Sequence, residues 1–367
     1  MHTIRINLKR SIDDSYDILI GNKITDLMIR ELKETPFGNK YAIITDDNVK
    51  KHYGDELLKK IRKAGIDCSL ISFNHGEQNK NLKIFGLLHE ELLKTRIDRK
   101  SCIITLGGGI VGDIAGFVAA TYMRGINYIQ VPTTLLAQAD SSMGGKVAID
   151  LSSGKNSCGA FYQPKKVYID VDFLKTLPKK EIVNGLVETV KHAVIADEKF
   201  FSLIQKNLPE IFQMKSDLLI RIAETNCSIK KNVVENDLFE KNLRKTVNYG
   251  HTIGHALETL TGYKKYTHGE AIAIGMAVEG KISNLMGWLS DKDLKSQNSL
   301  LEKIGLNLKL PEIKKEIILK ELAKDKKAVS GKVFFALPEK IGKMKNIDGK
   351  YGIEVNEKII LRGIVEG

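Results

Sequence analysis

The amino-acid sequence predicts a two-part fold: an α/β N-terminal domain of Rossmann-like type over residues 1–177, then an all-α C-terminal domain over residues 178–367. Three observations carry this expectation. Short apolar, β-rich runs alternate with helix-length segments through the first half, the pattern of a parallel sheet with crossover helices. A glycine-rich turn, GGGIVGDIAG at 107–116, follows one such run and opens a helix. From Lys180 to about Leu308 helical periodicity replaces the strand signal, punctuated by Pro209.

Two extended segments open the chain, Thr3–Leu8 and Tyr16–Ile20. YAIITD (41–46) reads as a buried strand, with a helical pattern after it to Ala64. DCSLISF (67–73) is the next strand, followed by a helix through Asn81–Thr95. CIITL (102–106) leads into the glycine-rich turn, and NYIQVP (127–132) is a fourth strand. Residues 138–161, QADSSMGGKVAIDLSSGKNSCGAF, read as a long loop dense in Gly and Ser. VYIDVDFLKTLP (167–178) closes the first domain. In EIVNGLVETVKHAV (181–194) an apolar face of Ile182, Val183, Leu186, Val187, Val190 and Val194 opposes Glu188, Lys191 and His192. RKTVNYGHTIGHALE (244–258) reads as one helix with Arg244, Asn248, His251, His255 and Glu258 inside an arc of roughly 80°, at about 100° per residue. YTHGEAIAIGMAVEG (266–280) begins another apolar helix just after His268. The tail reads as helical, apart from an extended piece at KVFFALP (332–338).

A chain of 367 residues, 43% hydrophobic and 28% charged, has the make-up of a soluble globular protein with a large core. No apolar run approaches the length of a membrane span, and MHTIRINLKR lacks the apolar region of a secretory signal. Cys68, Cys102, Cys158 and Cys227 are scattered, as expected of reduced thiols in a cytoplasmic protein. The net charge of +12 raises a nucleic-acid reading, but the lysines are dispersed and form no basic block. The field of such a chain suits a small anionic substrate.

Five segments carry chemistry, each with a plainer alternative. Gly107-x-Gly109-x-x-Gly112 fits pyrophosphate at a helix N-terminus, or a tight structural turn. No acidic residue ends the strand after it, so Asp46 is the candidate for a ribose carboxylate; its alternative is a helix N-cap. The 138–161 segment, with Asp140, Lys146, Lys155 and Asn156, binds an anion or is a solvated surface loop. Spacing alone favours a solvent-facing Glu188–Lys191 pair over a carboxylate ligand and a substrate contact. His251 and His255, one turn apart, both hold a metal, or one binds metal while the other moves protons. His268 is a cap or a third ligand folding back from a neighbouring helix.

Together these segments resemble the 3-dehydroquinate synthase family of sugar phosphate cyclases. The likeness runs through HGEQNKNL (75–82), GGGIVGDIAGFVAATYMRG (107–125), VPTTLLAQADSSMGGKVAID (131–150), GLVETVKHAVI (185–195), VNYGHTIGHALE (247–258), HGEAIAIGM (268–276) and DKK (325–327). It implies a lyase of aromatic amino acid biosynthesis that turns 3-deoxy-D-arabino-heptulosonate 7-phosphate into 3-dehydroquinate and phosphate, with catalytic NAD and Zn2+ or Co2+.

The resemblance also assigns residues. The metal ligands correspond to Glu188, His251 and His268, while His255 matches a histidine that assists proton transfer and phosphate loss. NAD contacts fall on Glu77, Lys80, Gly109, Ile110, Val111, Gly112, Asp113, Thr133, Thr134, Phe173, Leu174, Lys175 and Thr176, with Asp46 at the ribose. Lys146 and Lys155 lie where cofactor and substrate meet. Substrate contacts map to Asp140, Asn156, Lys191, Lys231, Arg244, Asn248 and Lys327. Arg124 matches a residue that reaches a neighbouring subunit's phosphate site, which implies a homodimer. The rival readings are another cyclase, such as 2-deoxy-scyllo-inosose synthase, and a metal- and NAD-dependent polyol dehydrogenase. A non-catalytic nucleic-acid-binding protein is suggested only by charge.

Overall fold

The computed structural model describes residues 3–9, 11–152, 154–323 and 333–366. Six strands, β1 (Asp17–Gly21), β2 (Tyr41–Asp46), β3 (Cys68–Phe73), β4 (Cys102–Gly107), β5 (Asn127–Pro132) and β8 (Lys166–Asp170), form one sheet. Its order is β1-β8-β5-β4-β2-β3, and every pairing is parallel. The central strands are buried on both faces, which is why they read as continuous apolar runs rather than alternating ones. The connections carry α1 (Thr25–Glu34), α2 (Asp47–Val49), α3 (Asp55–Lys63), α4 (Leu82–Lys94) and α5 (Gly109–Thr121). From β2 the chain steps outward to β3, then returns to place β4 on the other side of β2. That reversal opens a crevice at the carboxyl ends of β2 and β4, the usual place for a ligand in an open parallel sheet. Thr45 pairs with Leu106 there, so Asp46 and Gly107 are the next residues at its edge.

Two parts of the first half differ from the sequence expectation. Thr3–Leu8 forms no strand, and Ile4, Ile6 and Leu8 are exposed. The supposed loop at 138–161 is mostly a β-hairpin, β6 (Lys146–Leu151) paired antiparallel with β7 (Gly154–Phe161). Its signal is the alternation of Val147 and Ile149, which are buried in the core that includes α5. The abundance of Gly and Ser masked that two-residue period.

The second half is helical: α6 (Lys179–Ala196), α7 (Glu198–Lys206), α8 (Leu208–Phe212), α9 (Ser216–Asn236), α10 (His251–Leu260), α11 (His268–Leu285), α12 (Asp291–Ile304), α13 (Lys315–Leu322) and α14 (Glu357–Glu366). None among the described residues is long and apolar enough to cross a membrane. Two short ribbons interrupt the tail, where one extended piece was expected. β9 (Phe334–Phe335) pairs with β12 (Ile353–Glu354), and β10 (Pro338–Lys340) with β11 (Lys343–Met344). Residues 185–195 of α6 are all buried, so this helix is core on every side.

The segment 244–258 is two elements rather than one helix. Leu243–Asn248 is a 3-10 turn, and Gly250, at φ 80°, turns the chain before α10 begins at His251. Arg244 and Asn248 therefore do not share a helical face with His251, His255 and Glu258. Helices α10 and α11 touch backbone to backbone: a Cβ on Gly275 would lie 1.9 Å from the Gly250 carbonyl oxygen. Gly275→Ala should lower the unfolding free energy by about 1–3 kcal/mol or more. A urea titration reads this, and an unchanged midpoint would show that the contact yields freely.

Candidate active site

The side chains of Glu188, His251 and His268 converge from α6, α10 and α11. Their candidate ligand atoms all lie within 4.8 Å of one another. Nε2 of His251 is 3.5 Å, and Nε2 of His268 3.4 Å, from Glu188 Oε1. Each ring is held from behind. Nδ1 of His251 is 3.1 Å from the Tyr249 carbonyl oxygen, and Nδ1 of His268 is 3.2 Å from Glu258 Oε1. A carbonyl only accepts, so Nδ1 of His251 carries a proton, and Nε2 is left facing Glu188, where it holds a second proton or offers its lone pair to a cation. Oε2 of Glu188 meets the Lys191 ammonium, while Oε1, facing the two rings, is buried without a hydrogen-bond partner. One carboxylate with an orphaned oxygen and two oriented imidazoles fit a divalent cation with Zn2+-like preferences.

The electrostatics agree. Burial alone would raise the Glu188 carboxyl, but Lys191, His251 and His268 hold it well below the usual range. Burial opposes charge on His268 too, yet Glu188 and Glu258 push it up to about 9. The expected solvent-facing Glu188–Lys191 pair is instead an ion pair in the core, each side chain 1% exposed. Helix α6 packs its charged stripe against α9 and α11, so amphipathicity misjudged which face meets water. His255 stands beside the cluster, its ring centroid 5.2 Å from that of His251 and 6.1 Å from that of His268. It groups with Glu258 and His268 rather than with Glu188. Glu279 of α11 fixes the start of α10, accepting from the Gly250 amide at 2.7 Å and the Ile253 amide at 3.0 Å.

A second cluster flanks the first. Lys230 donates to the Asp140 carboxylate and, at 2.7 Å, to its backbone carbonyl. Lys230 and Lys191 outweigh burial and keep Asp140 well below the carboxylate range. Behind it His192 reaches Asp140 at 3.5 Å and Asn226 at 3.0 Å. Lys231, the residue expected here, is exposed and pairs with Glu235. One residue on a helix is a rotation of about 100°. Lys230 shares the buried stripe of Asn226, Cys227 and Val233, and that stripe was the readable signal. Arg244 is buried, donating to the carbonyls of Leu238 and Gly144 at 2.6 and 3.0 Å. Asn248 and Lys146 both bond Glu240, a residue with no sequence signal, carried on the loop after α9.

The crevice between β2 and β4 holds most of the residues expected at the cofactor. Helix α5 starts there without a side-chain cap, leaving the amides of Gly109, Ile110 and Val111 open to an anion, while the Gly112 amide donates to the Gly108 carbonyl at 3.0 Å. A Cβ on Gly109 or Gly112 would come within 3.0 Å of Ser141 or Gln130. Asp46 is a helix N-cap: its Oδ1 accepts from the Asn48 and Val49 amides at 2.9 and 2.8 Å, leaving Oδ2 outside the cap. Lys80 is buried and bonds both Asp113 and Asn156. Lys155 lies 3.1 Å from Glu77 and 3.3 Å from Glu258. Thr133 is buried with an unpartnered hydroxyl, while Thr134 accepts from the Ala137 amide. In the turn after β8, Phe173 packs on Tyr53, whose hydroxyl also meets Thr176. Leu174 belongs to the helical core, and Lys175 pairs with Asp172 at the surface. Arg124 is exposed just past the end of α5 opposite Gly109. Lys327 lies outside the described residues.

The chain matches the families described as 3-dehydroquinate synthase N-terminal over residues 70–184 and 3-dehydroquinate synthase C-terminal over 185–328. It is 43% identical over 346 residues to 3-dehydroquinate synthase of Thermodesulfovibrio yellowstonii, covering 94% of this chain and 96% of that one. It is 45% identical over 347 residues to the Thermoanaerobacter sp. enzyme of the same name, covering 95% and 97%. Among solved structures, 2-deoxy-scyllo-inosose synthase complexed with carbaglucose-6-phosphate, NAD+ and Co2+ is similar with TM-score 0.82 and 30% identity, covering 95% and 96%. A 2-epi-5-epi-valiolone synthase from Streptomyces hygroscopicus shares the fold with TM-score 0.88 at 22% identity, covering 99% of each chain.

Glu188→Gln should weaken Co2+ or Zn2+ binding by more than the roughly 10–100-fold that loss of an outer partner costs. Equilibrium dialysis measures this, and wild-type affinity would remove Glu188 from the donor set.

Proposed function

This chain belongs to the 3-dehydroquinate synthase family, and from that premise we infer that the Glu188–His251–His268 cluster is the catalytic metal site of a 3-dehydroquinate synthase. The enzyme converts 3-deoxy-D-arabino-heptulosonate 7-phosphate to 3-dehydroquinate and phosphate, and uses NAD and a divalent cation. The observation that carries the site is the meeting of one buried carboxylate and two oriented imidazoles. It is supported by the crevice at the β2–β4 reversal, built from the first half of the same chain.

When bound, the two groups supply reversible hydride acceptance at the nicotinamide and polarisation of neighbouring substrate hydroxyls at the cation. The rest is the work of side chains. Glu188 and the two Nε2 atoms hold the cation, Zn2+ or Co2+. The open amides at the start of α5, with Lys80 and Asp113 behind them, receive the pyrophosphate, and Asp46 Oδ2 meets the ribose. Glu77, Lys155, Thr133, Thr134 and the main chain of Phe173–Thr176 complete the cofactor's surroundings. Lys191, Lys230, Lys146 and Arg244 place positive charge against the substrate's phosphate and carboxylate. Asp140, Asn156, Asn248 and, outside the described residues, Lys327 position its hydroxyls. His255, half-buried beside His251, moves the proton as phosphate departs.

The exposed Arg124 fits contact with a neighbouring subunit's phosphate site, so the working form is a homodimer. The boundary between the NAD-binding and metal-binding domains falls at 177/178, just before α6. Four unpaired cysteines suit a cytoplasmic enzyme. The likeness to a solved 2-deoxy-scyllo-inosose synthase keeps a second cyclase substrate in view.

Incubation with the heptulosonate phosphate and catalytic NAD should release phosphate and form the cyclic product with no net NADH absorbance. Glucose 6-phosphate or sedoheptulose 7-phosphate turned over in preference would transfer the assignment to another cyclase. Stoichiometric NADH would point to a polyol dehydrogenase. In the same assay Lys230→Met should lose at least about tenfold in kcat/KM, the loss of one charge-assisted contact, while Lys231→Met should match wild type. The reverse ranking would restore Lys231 to the site.

A further inference from the structure

A row of alternating charge crosses from the dinucleotide crevice to a metal ligand. It begins at Glu77, on the turn after β3. That turn is pinned at the crevice by Asp47, which accepts from the His75 amide at 2.8 Å. Glu77 Oε1 is 3.1 Å from Lys155 Nζ, on β7. The same ammonium donates to Glu258 Oε1, on α10, at 3.3 Å. That oxygen also faces Nδ1 of His268, on α11, at 3.2 Å. The other oxygen of Glu258 is buried without a hydrogen-bond partner, and the side chain is 4% exposed. The position of Glu258 is therefore set by Lys155 on one side and by His268 on the other.

We infer that Glu258 is a positioning residue for His268, and that the row Glu77–Lys155–Glu258–His268 makes dinucleotide and metal binding reinforce each other. The inference rests on the metal and cofactor sites proposed above. A carboxylate behind a ligating imidazole fixes its tautomer and ring angle and raises its basicity. Lys155, donating to Glu258 Oε1 at 3.3 Å, holds that carboxylate in place. A dinucleotide that orders Glu77 and Lys155 at one end leaves less to be ordered when a cation settles on His268 at the other. Reciprocity then requires the cation to tighten the dinucleotide by the same factor.

The test uses the full chain stripped of metal with a chelator. Co2+ affinity is measured by titration, following the visible absorption of bound Co2+, with and without saturating NAD. Wild type should bind Co2+ about tenfold more tightly with NAD present, within the usual range of such couplings. Glu258→Gln should bind Co2+ roughly 10–100-fold more weakly, with an altered Co2+ spectrum. Lys155→Met should still bind Co2+, with the NAD-dependent ratio falling to about one. A merely structural strut would lower the thermal midpoint and leave that ratio untouched. If Glu258→Gln fails to fold, Glu258→Asp replaces it and should show an intermediate loss of Co2+ affinity. A wild-type ratio of one, an unchanged ratio in Lys155→Met, or full Co2+ affinity in the Glu258 variant overturns the inference. Wild type that binds both groups independently sinks only this inference; wild type that binds neither sinks the proposed function with it.

Discussion

The arrangement turns on the cost of keeping the Glu188 carboxylate ionised inside the protein. A carboxylate taken out of water carries a penalty of several kcal/mol even after relaxation, and it stays charged only where cations surround it. Lys191 supplies one from the same helix, and the imidazoles of His251 and His268 face it from two others. This requirement explains why α6 is buried on every side while carrying Glu188, Lys191 and His192. A metal-binding donor set and a self-neutralising ion cluster call for the same geometry. Lys191 and the imidazoles therefore neutralise the carboxylate in the arrangement a cation would also require.

Bringing two imidazoles to one carboxylate demands that α10 and α11 lie closer than side chains ordinarily allow. Glycine meets the demand. Gly275 has no room for a Cβ against the Gly250 carbonyl, and Gly254 meets the main chain of Ala271. Glu279 then satisfies the amides that the left-handed Gly250 leaves at the head of α10. His251 is the first residue of α10 and His268 the first of α11, so both imidazoles stand on helix ends locked by packing rather than on loops.

The hairpin β6–β7 joins this centre to the crevice at the β2–β4 reversal. Lys146 and Lys155 reach from it to Glu240 and Glu258 in the helical half. Phe161 meets Phe239 edge to face, with ring centroids 5.3 Å apart. Asn156, on the same hairpin, bonds Lys80, which also bonds Asp113 of α5. One element of the first half thus touches both Lys80 and the loop that carries Glu240.

Read alone, the sequence determined the parallel sheet, the glycine-rich opening of α5 and the helical second half, because these rest on short-range periodicity and turn chemistry. YAIITD and NYIQVP end where the strands end, since apolar runs bounded by polar residues admit few other structures. The family resemblance named Glu188, His251 and His268 together. Local pattern could not, because it holds no information on which face of α6 other helices will cover. Only the tertiary structure decided that Lys230 rather than Lys231 meets Asp140, that Glu240 meets Asn248 and Lys146, that Glu258 meets His268, and that Gly250 ends a turn inside what reads as one helix. Those outcomes depend on contacts between residues tens to hundreds of positions apart, where burial reverses the preference of a charged side chain for water.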